Sequence, residues 1–156
     1  MKLNLGCGND FKYEKGWVNL DITRPCNVKA DMDVDLPFKD QSFDLIWASH
    51  ILEHRHDLRR IQRELARVIK KGGELNVIVP YFLSTDAWGD PTHCRAFSEE
   101  SFFGQYWPGF IVVSVNGKEF KKNKDSRVMW LFAKLVRNEL PQREVDRLLS
   151  GRIFNK

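Results

Sequence analysis

Cysteine is scarce and unpaired in spacing: Cys7, Cys26 and Cys94 are odd in number, lie far apart and include no Cys-x-x-Cys. That excludes a disulfide-stapled scaffold and a ribbon-type zinc site, and the three read as free thiols. Long apolar runs are missing as well, none reaching the ~18 residues that a membrane span requires. The opening Met1-Lys2-Leu3 runs straight into a strand without a charged, apolar and small-residue leader, so a cytoplasmic location is expected. No repeat and no low-complexity linker is visible. Neither charge sign dominates: 25 Lys and Arg against 21 Asp and Glu give +4, which permits an acidic partner without demanding one.

What remains is a chain of 156 residues, 42% hydrophobic and 12% aromatic, of the size and composition that bury one continuous core. One domain over 1–156 is expected. Arg59, Arg60, Arg63 and Arg67 share one helical pattern, and Lys118, Lys121, Lys122 and Lys124 crowd a hairpin turn. Solvated surface is the default for both clusters, with a nucleic-acid footprint possible but not favoured.

The most informative stretch is Leu3-Asn4-Leu5-Gly6-Cys7-Gly8-Asn9-Asp10, followed by Val18-Asn19-Leu20-Asp21-Ile22. It reads as a strand, a glycine turn, and a second strand closed by a carboxylate. Gly6 and Gly8 let the backbone turn sharply and approach a ligand with no Cβ in the way, and N–H groups beyond such a turn can face an anion. A carboxylate at the carboxyl end of the neighbouring strand can accept hydrogen bonds from both hydroxyls of a ribose. A dinucleotide fingerprint would need glycine at Phe11 and a later acid, so the pattern argues against NAD.

Further along, the spacing predicts strands at 2–6, 17–21, 43–48 and 74–79, with at most a turn or two of helix in 9–16 and a short strand edge over 31–35. Leu58, Ile61, Leu65, Val68 and Ile69 recur at helical spacing over 57–71, with Asp57 as cap and Gly72-Gly73 at the end. Ser98 opens a short helix, 111–115 and 128–136 form an antiparallel pair, and Pro141 starts a helix carrying Val145, Leu148 and Leu149. Strands alternating with helices imply an α/β fold whose ligands sit beyond the strands' carboxyl ends.

Residues 3–10, Asp21, residues 31–44 and Ser49-His50-Ile51-Leu52-Glu53-His54 resemble, in order, the motifs of class I S-adenosylmethionine-dependent methyltransferases. The likeness is greatest to the small type-11 group, in which a Gly-Trp-Val-Asn-Leu-Asp run, here Gly16 to Asp21, follows a shortened first helix. It covers about the first hundred residues. The resemblance implies a Rossmann-like doubly wound, mainly parallel sheet with an antiparallel C-terminal strand pair, a cofactor half over about 1–80 and a substrate and hairpin region over about 81–156. It implies S-adenosyl-L-methionine as cofactor, with the backbone of Leu5, Gly6, Cys7 and Gly8 at the methionine part and Asp21 on the ribose. Ile22 would then lie along the adenine, Asp31 and Met32 at its amino edge with Asp33 as competitor, and Ser49 and His50 beside the cofactor. Leu52-Glu53-His54 would pack beneath, which makes His54 structural.

Tyr81, Trp88, Asp90 and His93 belong to a segment that leaves the strand facing this site and is rich in aromatic and polar side chains, as a substrate-gripping loop is. His93 either takes a proton from the nucleophile or fixes the loop by a hydrogen bond. Trp47, Tyr81 and Trp88 either face the sulfonium or belong to the core. His50, His54 and His56 raise a metal reading, but only His93 or Cys94, far along the chain, could complete it, so no metal is expected. The expected reaction moves a methyl group to oxygen or nitrogen on a small-molecule or saccharide-type acceptor. The alternatives are a nucleic-acid or protein methyltransferase and a cofactor-binding inactive subunit. A site without a lid segment before the first strand is expected, with a homodimer or a partner subunit as the expected means of completing it.

Overall fold

In the computed structural model, which describes residues 1–23, 26–120 and 127–138, the opening apolar run forms β1 (Lys2–Leu5), an interior strand of a seven-stranded sheet. The other strands are β2 (Trp17–Asp21), β3 (Val28–Lys29), β4 (Phe43–Ser49), β5 (Ile69–Pro80), β6 (Phe110–Phe120) and β7 (Arg127–Arg137). The order is β3-β2-β1-β4-β5-β7-β6. Strands β1 to β5 are parallel, and β7 runs antiparallel to both its neighbours. The expected doubly wound sheet and its antiparallel C-terminal pair are therefore present.

One face of the sheet is dry. Leu3, Leu5, Leu20, Ile46, Ala48, Leu75, Val77, Ala133 and Leu135 form one cluster with Ile61, Leu65 and Val68 of helix α1 (Leu58–Val68). Each Leu, Ile or Val side chain taken from water in this way contributes roughly 1.5–3 kcal/mol. Phe97, Phe102, Trp107 and Phe110 extend this core as a run of buried rings with centroids 5.6–6.3 Å apart.

Three local expectations are corrected. No helix forms in 9–16. Instead the buried amide of Asn19 accepts from Lys12 N–H and Asn4 Nδ2 and donates to Lys12 C=O and Asn27 Oδ1, each at 2.9 Å. Side-chain amides thus satisfy the backbone that a helix would have satisfied, which lets so short a crossover close. Residues 31–35 are turns rather than strand, because Asp31 Oδ1 accepts Asp33 N–H at 2.8 Å while Asp33 and Asp35 reach Arg55 and Arg60. The helix begins as expected, with Asp57 accepting Arg60 N–H, but ends at Val68. Ile69 already pairs with Phe43, and Gly72, at φ +74°, lies within β5, where the register shifts. A Cβ on Gly73 would meet Ile69 and Lys70 C=O at 2.9 Å, so the glycines serve a bulge rather than a helix stop. The short helix expected after Ser98 is present as a 3-10 helix, Glu99–Phe102, with Ser98 and Ser101 capping each other. The helix expected from Pro141 and the lysines at 121, 122 and 124 lie outside the described residues.

Arg67 clamps the loop after residue 35 onto α1. It donates to Glu64, Asp40 and the carbonyls of Leu36 and Phe38, and Glu64 also accepts Leu36 N–H at 2.8 Å. The Arg67 hydrogen bond, opposed by burial and aided by Leu36 N–H, holds the Glu64 carboxyl below its usual range. A depressed folded pKa means stability that is present above the unfolded value, near ~4.3, and is lost as pH falls through the folded one. Glu64→Gln should thus cost about 1–2 kcal/mol at pH 7, with the difference from wild type closing below about pH 4. Chemical denaturation at both pH values reads this out, and an equal penalty at both would refute the clamp.

Candidate functional site

The carboxyl ends of the parallel strands converge on one edge. After β1 the chain turns through Gly6 and Gly8, at φ +63° and +47°. A Cβ on Gly6 would stand 2.4 Å from Ile51 Cγ1, whereas over Gly8 nothing lies within 4 Å. The first glycine is thus demanded by packing, and the second faces open space. Cys7 is buried between them with its N–H on Leu20 C=O, and burial, then Asp21 and Cys26, push its thiol up.

Asp21 closes β2 beside this turn. Its Oδ2 accepts Gly8 N–H and its Oδ1 accepts the N–H and hydroxyl of Thr23, all at 2.8 Å. Burial alone would raise its pKa, but these hydrogen bonds outweigh it and hold the group below the ordinary value. The carboxylate therefore stays charged, fixed in direction, with lone pairs left for a ligand. Ile22 next to it is 54% exposed, an apolar surface at the mouth of the cradle. Met32 is buried in the core, and Asp31 makes an Asx turn, while Asp33, its competitor, is committed to Arg55.

At the end of β4, Ser49 is followed by His50 at φ +52°, a costly conformation for a residue with a side chain. Its ring packs edge-on against Trp130, and its Nδ1 lies 3.4 Å from Glu53 Oε1. Together with His54, Pro80, Thr85, Asp86, Asp90, Pro91 and His93 these residues line a cleft of about 820 Å³. Thr92 donates its hydroxyl to Asp90 Oδ1 and is 2.9 Å from His54 Nδ1, and the Thr92 contacts hold Asp90 below its usual range.

Of the four expected substrate residues, Asp90 and His93 share this cleft with His50. Tyr81 and Trp88 instead line a separate cleft of about 580 Å³ with Phe82, Ala96 and residues 98–101. Trp47 pairs mid-strand with Asn4 and Asn76 and lies between Lys12 and Phe132, away from the strand ends. Glu53 and Trp130 join the cleft without having been singled out as site residues. An acid inside a Leu-Glu-His run was the only sign of the first, and the second comes from the antiparallel β7, whose register no local pattern gives.

The strand order, with β7 antiparallel between β5 and β6, is that of the class I methyltransferase fold. The family described as a methyltransferase domain, of the type-11 group, matches residues 15–77. The Xanthomonas oryzae ubiquinone/menaquinone biosynthesis C-methyltransferase UbiE is 28% identical over 94% of this chain and 50% of its own length. The 27-O-demethylrifamycin SV methyltransferase of Amycolatopsis mediterranei is 39% identical over 57 residues, 30% of this chain and 21% of its own. The YcgJ protein of Bacillus subtilis superposes with a TM-score of 0.66 at 17% identity, over 89% of this chain and 92% of its own. A methyltransferase crystallised with an activator protein from Haloferax volcanii gives 0.68 at 18%, covering 88% and 82%. The chain spans half the length of UbiE and less of the rifamycin enzyme. The chain is thus similar to the small type-11 group of class I methyltransferases, with the family match confined to residues 15–77. No helix among the described residues is long and apolar enough to cross a membrane.

Proposed function

We propose that this chain transfers a methyl group from S-adenosylmethionine to an oxygen or nitrogen on a small-molecule or saccharide-type acceptor. The observation that carries the reading is the pairing of Asp21 with Gly8: a charged carboxylate is oriented by the glycine turn and opens onto free space above it. That space fits an adenosyl group, with Asp21 on the ribose, exposed Ile22 along the base, and Asp31 favoured over Asp33 at the amino edge because Asp33 is already paired. The cofactor supplies a methyl on a good leaving group. The protein's own contribution is alignment, which can be worth about 7–11 kcal/mol of barrier when the reacting atoms are held in line.

The cleft beyond His50 supports a small acceptor, since its volume lies within the range of ligand pockets. The names of the relatives, a rifamycin-type and a quinone-biosynthesis methyltransferase, point the same way. A carbon nucleophile is the second reading, favoured by the UbiE likeness. Nucleic acid is disfavoured because Arg55, Arg60 and Arg67 are engaged by Asp33, Asp35, Asp40 and Glu64. Reading His93 as a base requires its Nε2 lone pair; Nδ1 contacts Ala87 C=O, while Nε2 faces Asp90 Oδ2 at 3.8 Å.

Calorimetric titration with S-adenosylhomocysteine tests the reading. Heat of binding is expected, with a melting shift of roughly 5–10 °C at a hundredfold excess over Kd. Neither heat nor shift would overturn it. Methyl release against a panel of hydroxyl, amine and carbon acceptors then separates enzyme from inactive subunit.

A further inference from the structure

Among the described residues, Glu53 is the one buried carboxylate with both oxygens lacking a hydrogen-bond partner. Its side chain is 1% exposed, yet neither carboxylate oxygen accepts a hydrogen bond among the described residues. An isolated buried carboxylate costs several kcal/mol unless something positive compensates it. His50 Nδ1 stands 3.4 Å from Oε1 without hydrogen-bond geometry, so the acceptor sites of Glu53 stay open. What else faces it is informative: one ligand atom each from Glu53, His54 and His93 lie within 4.8 Å of one another.

The two imidazoles are arranged as metal ligands are. His54 Nδ1 is 2.9 Å from Thr92 Oγ1, whose own proton goes to Asp90 Oδ1 at 2.6 Å, so the ring must donate there. His93 Nδ1 lies 3.3 Å from Ala87 C=O, which only accepts. With Nδ1 as the donor each ring presents Nε2 as its lone pair, that of His93 lying 3.8 Å from Asp90 Oδ2, a carboxylate that a bound cation would also face. An outer hydrogen bond to a carbonyl or a carboxylate relay, fixing the tautomer, is the usual second shell of a ligating histidine. The two loops that supply the residues are tied together: Cys94 N–H donates to Glu53 C=O, and Arg95 donates to the carbonyls of Arg55 and His56.

We propose that Glu53, His54 and His93 bind a divalent first-row transition metal, of which Zn²⁺ is the expected ion, at the acceptor end of the cleft. Two imidazoles and one carboxylate suit Zn²⁺, Fe²⁺ or Co²⁺, whereas Mg²⁺ and Ca²⁺ favour oxygen alone. Ligand bonds of ~2.0–2.2 Å need ligand atoms roughly 3.3 Å apart, so each side chain must close by about an ångström. Three protein ligands leave at least one coordination position open, and the cleft lies around it. If the methyltransferase reading holds, that position takes an oxygen of the acceptor, and His93 is then a ligand rather than a free base.

Metal-stripped protein titrated with Co²⁺ should take up one equivalent and develop visible d–d bands, which Zn²⁺ then displaces. Glu53→Gln and His93→Ala should abolish the bands. Thr92→Val, which alters only the outer shell and leaves the buried carboxylate in place, should weaken binding by about 10–100-fold. His56→Ala and Cys94→Ser remove a neighbouring soft pair, with Sγ 3.4 Å from Nε2, and should change nothing. Absence of bands in a folded wild-type sample would overturn the proposal, as would bands lost with Cys94→Ser but kept in Glu53→Gln. S-adenosylhomocysteine titration of the same samples separates the two readings. Heat without cobalt bands sinks the metal site alone, and bands without heat sink the methyltransferase reading alone.

Discussion

Asp21→Ala is expected to weaken S-adenosylhomocysteine binding by at least about a hundredfold while leaving the protein folded. Two hydrogen bonds from ribose hydroxyls to a charged carboxylate contribute about 1.5–3 kcal/mol each, and 1.4 kcal/mol is a factor of ten. The carboxylate also anchors Gly8 N–H and both donors of Thr23. Its loss therefore frees the glycine turn, and part of the affinity goes into reordering it. Asp21→Asn divides the two contributions: the amide oxygen can still receive Gly8 N–H, but the charge and one acceptor are gone. The expected order is wild type, then Asn, then Ala in affinity, with melting temperatures much closer together, since the group sits at a half-exposed strand end and touches little of the core. Calorimetry on the three proteins decides it. Equal Kd values would remove Asp21 from the ribose, and a large fall in melting temperature with unchanged affinity would make it a purely structural turn residue.

The positions of Gly6, Asp21 and His50 at strand ends could be read from the sequence because each follows an apolar run that stops abruptly, and a run that stops inside an α/β pattern stops at a sheet edge. The interior of α1 was legible for the same reason, since its period of Leu58, Ile61, Leu65 and Val68 has no competitor. Its end was not. Gly72-Gly73 has the look of a helix stop, and only the pairing of Ile69 with Phe43 across the sheet shows that the chain was already a strand. The aspartates of 31–35 alternate as in a strand, yet their partners Arg55 and Arg60 come from more than twenty residues away, and such ion pairs leave no local trace. Glu53 was hidden by its context: a buried acid between Leu52 and His54 reads as one polar residue on a packed turn, and its company with His93 exists only after β4 and β5 lie side by side.

The largest stability effect should come from Asn19→Ala, through the same logic of long-range satisfaction. Asn19 is 0% exposed and uses all four hydrogen-bonding positions of its amide, two accepted and two donated. Truncation leaves Lys12 N–H and C=O and the Asn27 amide without this partner, and deprives Asn4 Nδ2 of one of its two acceptors, the other being Asp10 C=O. At about 1–3 kcal/mol per group stranded away from water, and with several of these groups only part-buried, the sum is about 3–5 kcal/mol. For a domain of this size that lowers the melting temperature by roughly 10–15 °C. Asn19→Asp is the sharper probe because it is isosteric. It keeps both acceptor roles but turns an oxygen toward Lys12 C=O and Asn27 Oδ1, so it should be nearly as damaging at neutral pH and should recover partly in acid, where protonation restores one donor. The helixless crossover also carries the glycine turn, so both variants should lose cofactor affinity together with stability. A melting temperature within about 2 °C of wild type for Asn19→Ala would mean that the crossover closes by other contacts, and the account of how so short a β1–β2 connection replaces its helix would fail.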